Sequence, residues 1–340
     1  MNITILGAGS WGIGLATLLH QRDHTVALWE FDKKEAETLH KRRESPNKLP
    51  GVYIPDSIDI TSDLTKALAV AEYAVCAVPA QSMRSAMKQV AQATDATRRE
   101  EIHGWIIVAK GIEVETLSLM SDVVLEELPG LDISRIAVLS GPSHAEEVAR
   151  HIPTTVVAAS KNHELARTVQ EEFSTETFRI YTNDDVVGVE LAGSVKNVIA
   201  LAAGVCDGLG LGDNTKGALL TRGLLEMTRL GKRMGAREET FSGLAGMGDL
   251  ITTCISRHSR NRKFGELIGS GLSMKDALKQ MVMVAEGVET TRSVYDMARK
   301  HDVDMPITEQ IYLTLFEGKS AREAVRDLMT REAKPERRDM

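Results

Sequence analysis

Short apolar runs and longer amphipathic stretches alternate through the first half of the chain. Residues 3–6 are apolar and stop at Gly7, and residues 13–21 then carry small and apolar side chains at helical spacing. Residues 25–29 predict a second strand and 33–43 a polar helix. Further buried strands are predicted at 73–78, 105–109, 136–139, 155–159 and 178–181, with amphipathic helices such as 118–128 and 164–173 between them. Pro46, Pro50 and Pro55 make 44–61 a loop excursion. Strands apolar on both faces and separated by helices predict an α/β arrangement, a mostly parallel, doubly wound sheet covered on both sides.

After about Asp185 the strand signal nearly vanishes. Residues 186–205 predict a long helix of small residues, and 214–234, 262–268, 273–279, 290–301, 307–317 and 321–329 predict further helices, one with Pro306 at its start. The expected organisation is an α/β domain over 1–188, an all-α domain over 189–330 and a charged tail over 331–340. A chain of 340 residues is long enough for two such cores.

Composition narrows the function. A net charge of −7 argues against a nucleic-acid partner but leaves room for one local cationic pocket. Cys76, Cys206 and Cys254 are too widely spaced for a metal motif and odd in number, so reduced packing thiols are expected and no metal. The N-terminus starts directly as a strand rather than as a basic and apolar leader, and no apolar run reaches the roughly 18 residues of a membrane span. A cytoplasmic protein without a membrane span is expected.

Gly7-Ala8-Gly9-Ser10-Trp11-Gly12 follows the first strand and opens the first helix, the context in which G-x-G-x-x-G binds a dinucleotide. Gly7 permits the tight turn, Gly9 lets a pyrophosphate approach the backbone, and Gly12 lets helix and strand pack closely. The N-terminal domain is thus expected to be Rossmann-like. Glu30 ends the second strand, where a carboxylate would bind a ribose 2′-OH and repel a 2′-phosphate. Phe31 follows it, where a basic residue would favour NADP. These two lean toward NAD, while Lys33 and Lys34 stand close enough to help a 2′-phosphate, so NAD and NADP both stay open.

Lys110 ends a buried strand, where open α/β sheets bind ligands. Gly141 and Ser143 end another; Ser143 could bond a ligand, though capping the helix that runs to Arg150 is explanation enough. Lys196 lies among small and apolar residues of the long helix. If buried, it needs a partner and has a lowered pKa suited to acid/base work on a carbonyl; a lysine reaching out to solvent is the plainer alternative. Asp249 ends a glycine-rich turn and can pair with a lysine or cap a helix. Ser259, Arg260 and Asn261 at a helix start make a good anion site, suggesting a phosphate-bearing small molecule. Glu286 alone says little.

Taken in order and spacing, these segments, with Asp207-Gly208-Leu209-Gly210-Leu211-Gly212-Asp213-Asn214 and Glu286-Gly287, resemble bacterial NAD(P)-dependent glycerol-3-phosphate dehydrogenases from residue 3 to about 329. The resemblance implies hydride transfer between NAD(P)H and C2 of dihydroxyacetone phosphate, giving sn-glycerol 3-phosphate for phospholipid synthesis. It implies Lys196 as the catalytic acid/base. Lys110, Gly141, Ser143, Asp249, Ser259, Arg260 and Asn261 would surround the substrate, and Ser10, Trp11, Phe31, Lys110, Ala145, Arg260, Val284 and Glu286 would contact the cofactor. Phe31 stands where the family often has histidine or arginine, and Lys48 where an aromatic is common. A homodimer through the helical half is a further expectation from the resemblance. The alternatives are a related two-domain dehydrogenase for a 3-hydroxy acid or ketopantoate-like substrate, and a redox-sensing binding protein. Lys196 and Asp249 argue against the latter.

Overall fold

The computed structural model describes residues 1–281, 285–333 and 335–336. Eight strands form one sheet: β1 (Asn2–Leu6), β2 (Thr25–Trp29), β3 (Asp59–Thr61), β4 (Tyr73–Cys76), β5 (Gly104–Ile107), β6 (Ile136–Ser140), β7 (Thr154–Ala159) and β8 (Phe178–Asn183). Their order is β3-β2-β1-β4-β5-β6-β7-β8. All neighbours are parallel except β6 and β7, which run antiparallel. The chain order reverses at β1, so the crevice beyond the C-terminal ends of β1 and β4 is the natural ligand site.

Two features depart from the expectation. β3 lies inside the proline-rich excursion and pairs with β2 from Ala27↔Asp59 to Trp29↔Thr61. The turn after β6 leads into one helical turn, Ala145–Val148, that has no side-chain cap; Ser143 Oγ instead donates to the Gly141 carbonyl at 3.0 Å. Of its two possible uses, Ser143 does not cap.

The helix Val186–Gly208 is the axis of the second half. It is long and apolar enough to cross a membrane, but it is almost wholly buried as a core helix. Asp185 caps it, accepting from the Gly188 N–H at 3.0 Å, and also accepts from Thr240 Oγ1 at 2.6 Å. Two further buried carboxylates cap neighbouring helices. Glu190 accepts from the Ser121 N–H at 2.9 Å, in the first turn of Met120–Glu127. Glu226 accepts from the Ile307 and Thr308 N–H groups at 2.7 and 3.2 Å, in the first turn of Pro306–Phe316. These caps satisfy helix-end donors away from water.

The axial helix crosses Arg260–Gly269 with backbones in direct contact. A Cβ on Gly204 would lie 1.9 Å from the Arg262 carbonyl oxygen, and one on Gly208 2.2 Å from that of Glu266. Reciprocally, a Cβ on Gly265 would lie 2.0 Å from the Leu201 carbonyl oxygen and one on Gly269 2.3 Å from that of Val205. The helix start at Arg260 falls two residues before the expected one because Ser259 caps it, accepting from the Arg262 N–H at 3.2 Å.

Gly265→Ala is therefore expected to destabilise the protein by about 2–4 kcal/mol, as overpacking against unyielding backbone does. Gly217→Ala, on an exposed helical position with nothing within 4 Å of the added carbon, should stabilise by about 0.5–1 kcal/mol. Denaturant melts of both variants check the pair. Burial raises the Glu226 carboxyl to about 7 from 4.5, against the bonds from Ile307 and Thr308. With its folded pKa raised, Glu226 contributes stability that is complete below 4.5 and lost as pH climbs through about 7. Glu226→Gln removes that titration, so its Tm relative to wild type should be higher at pH 8.5 than at pH 5.5; a pH-independent difference would contradict it.

Candidate active site

A continuous cleft of about 650 Å³ runs along the C-terminal strand ends and against the axial helix. At one end is the glycine loop. Gly7 takes a left-handed φ of +116°, and a Cβ there would meet the Ala77–Val78 backbone at 2.9 Å. Gly12 abuts the Gly7 carbonyl, while a Cβ on Gly9 would meet nothing within 4 Å. The helix Ser10–His20 begins with no side-chain cap. Open space at Gly9 in front of uncapped N–H groups fits a pyrophosphate, so the loop matches the dinucleotide group on its own geometry. Glu30 and Lys48 line the next part of the cleft, and Phe31 stands 70% exposed at its mouth, a bare aromatic face suited to a base.

The other end is electrostatic. Lys110, just beyond β5, donates to Asp249 Oδ2 at 2.7 Å and to the Gly141 carbonyl at 2.9 Å. Lys196, on the axial helix, donates to Asp249 Oδ1 at 2.8 Å and to Thr253 Oγ1 at 2.6 Å. Asp249 opens the helix Asp249–Ile255, and Thr253 is one turn further on. The carboxylate is 2% exposed and Lys196 6%. Burial lowers the Lys196 ammonium to about 8, with Asp249 opposing the shift and Lys110 adding to it. Burial alone would raise the Asp249 carboxyl, but Lys110 and Lys196 together hold it below the ordinary carboxylate value. Two cations on one anion leave a net positive charge facing the cleft.

Ser259, Arg260 and Asn261 line the cleft at the start of Arg260–Gly269. Asn261 Oδ1 accepts from the Gly287 N–H at 2.9 Å, tying this turn to the helix Gly287–Lys300, and Glu286 lies just before that helix on the cleft wall.

The cleft wall thus gathers Gly7, Gly9, Ser10, Trp11, Glu30, Phe31, Lys110, Ser143, Ala145, Lys196, Ser259, Arg260, Asn261 and Glu286. Gly12, Gly141 and Asp249 stand behind the wall, the last two bonded to Lys110. Val284 lies outside the described residues. Sequence reasoning missed Thr253, whose signal is its position four residues after Asp249 on one helix. It also missed His144, whose buried Nε2 has no hydrogen-bond partner among the described residues, and His258, whose ring centre is 5.9 Å away; both line the cleft. Neither carries a signal beyond its proximity to Ser143 or Ser259.

Two family models match the chain: the N-terminal part of NAD-dependent glycerol-3-phosphate dehydrogenases over residues 2–166, and the C-terminal part over 185–326. A glycerol-3-phosphate dehydrogenase [NAD(P)+] of Chlorobium limicola is 51% identical over 338 residues, covering 99% of each chain. One from Fusobacterium nucleatum is 47% identical over 336 residues, covering 99% of this chain and 98% of that one. The crystal structure of a glycerol-3-phosphate dehydrogenase from Coxiella burnetii superposes with a TM-score of 0.92 at 37% identity, covering 97% of this chain and 99% of that one. The order β3-β2-β1-β4-β5-β6, the helical second half and these full-length matches agree, and the chain belongs to the NAD-dependent glycerol-3-phosphate dehydrogenase family.

Proposed function

We propose that the protein is a cytoplasmic sn-glycerol-3-phosphate dehydrogenase that interconverts dihydroxyacetone phosphate and sn-glycerol 3-phosphate with NAD or NADP. The observation that carries this reading is the pair of lysines sharing the buried Asp249, set across the cleft from an uncapped glycine loop. Bound NAD(P)H supplies a hydride to C2 of the ketone. Lys196 Nζ donates a proton to the carbonyl oxygen as the C2–O bond becomes single, and in the reverse direction it takes that proton from the hydroxyl. Thr253 and Asp249 orient the ammonium through the bonds described above, and a pKa near 8 suits transfer in both directions. Lys110 adds positive charge where the oxygen turns anionic. The phosphate goes to the helix start at Ser259, Arg260 and Asn261, whose N–H groups and guanidinium favour a dianion. That end is remote from the reacting carbon, so its binding energy can orient the carbonyl. Glu30 would meet the adenosine ribose and Phe31 the adenine, while Trp11, Ala145 and Glu286 would contact the rest of the cofactor along the cleft wall.

The test is loss of NAD(P)H absorbance on adding dihydroxyacetone phosphate; absence of loss with either cofactor refutes the assignment. Lys196→Met is expected to lower kcat about 10³-fold while cofactor binding, followed by fluorescence, is kept. For ketone reduction, kcat/KM should be level below pH 8 and fall above it, since the protonated lysine is required; for alcohol oxidation it should rise through the same pH, about 8. Parallel profiles in the two directions would remove Lys196 from proton transfer.

A further inference from the structure

Glu30 and Lys48 meet at the adenosine end of the cleft, and both line it. Lys48 Nζ lies 3.0 Å from Glu30 Oε2 and 3.4 Å from Glu35 Oε1, Glu35 being in the first turn of the helix Lys33–Arg42. One ammonium therefore bridges two carboxylates. The side chains of Lys48, Glu30 and Glu35 are 27%, 13% and 37% exposed, so the ion pairs are open to exchange with a ligand. The backbone of Lys48 is fixed separately: its carbonyl accepts from Ser10 Oγ at 2.5 Å, and its neighbour Leu49 is buried. The loop carrying Lys48 is thus fastened to the first residue of the glycine-loop helix, whatever the lysine side chain does.

A carboxylate after β2 suits a ribose 2′-OH and by itself repels a 2′-phosphate, which carries about two negative charges. Here that carboxylate already has a cation against it. We propose that Lys48 is the residue that admits the 2′-phosphate, with Glu30 and Glu35 holding its ammonium ready by an exchangeable ion pair. With NAD, Lys48 stays on Glu30, whose remaining carboxylate capacity accepts the 2′-OH. With NADP, the ammonium exchanges Glu30 for the phosphate and Glu35 keeps it at the site. Lys33 and Lys34 begin the helix Lys33–Arg42, but both are exposed and neither lines the cleft. The inference rests on the NAD(P) reading of the cleft and adds to it how this chain accepts both cofactors.

Binding without turnover tests it. Lys48→Met and Lys48→Gln keep the backbone bond to Ser10. Each should weaken NADPH and 2′,5′-ADP about tenfold, as the loss of one partly exposed charge-assisted bond does, and leave NADH and 5′-AMP within about threefold. Glu30→Gln should act oppositely, weakening NADH and tightening NADPH. The readouts are fluorescence titration for the reduced cofactors and calorimetry for the two fragments. Equal losses for both cofactors in the Lys48 variants overturn the proposal, as does an NADPH loss that appears only in the Lys33→Met, Lys34→Met double variant. If wild type binds neither cofactor, the functional reading falls as well. If it binds both and the Lys48 variants do not discriminate, this inference alone fails.

Discussion

One buried carboxylate governs the site. Lys110 and Lys196 come from opposite halves of the chain, and both ammonium groups rest on Asp249. Without it, two cations would face each other out of water, an arrangement the fold could sustain only by neutralising one of them. With it, the assembly keeps one net positive charge, aimed at the cleft. The carboxylate also couples the sheet to the helical half, since Lys110 follows β5 while Asp249 begins a helix packed on the axial one. A removed partner in such a buried set leaves the others uncompensated, which costs more than the pair contributes.

The surrounding structure uses the same device with smaller stakes. Asp185, Glu190 and Glu226 are buried acids whose partners are hydrogen-bond donors at helix starts. Glu190 and Glu226 both titrate near 7, where burial has raised them. Asp249 differs because it faces two cations, and it stays ionised despite complete burial. Burial raises Glu190 and Glu226 against the donors they face, whereas two ammonium groups hold Asp249 down.

Much of this was legible in the chain itself, and the limits have physical causes. Strand ends can be read because glycine or proline follows them: Gly7 after β1, Pro79 soon after β4, Gly141 after β6. These punctuation marks also place the candidate ligand residues at one edge of the sheet. β3 is hidden because it is only three residues long and closely follows Pro46, Pro50 and Pro55. The antiparallel sense of β7 is hidden because a buried apolar run looks alike in either direction. Lys196 could be singled out as a cation among apolar neighbours and Asp249 as an acid able to pair with a lysine, yet nothing in the chain joined the two, which lie 53 residues apart. Thr253 needed a helix to begin at Asp249 before its spacing meant anything. Lys48 met Glu30 only through a loop whose hold on Ser10 spans 38 residues.

The crossing of the axial helix on Arg260–Gly269 bears on what the site can accept. Gly204, Gly208, Gly265 and Gly269 leave no side chains between the two backbones. Lys196 and the helix start at Ser259, Arg260 and Asn261 are thus carried by two helices whose backbones touch. The spacing of these two helices is a main-chain dimension rather than a side-chain one. On the proposed reaction, a molecule longer between its ketone and its anionic end could not be met by drawing these helices apart without parting two peptide backbones. For the proposed substrate, chain length is then the property that point substitution is least able to retune, whereas the far end of the cleft is lined by side chains such as Lys48 and Glu30, which a point substitution can change.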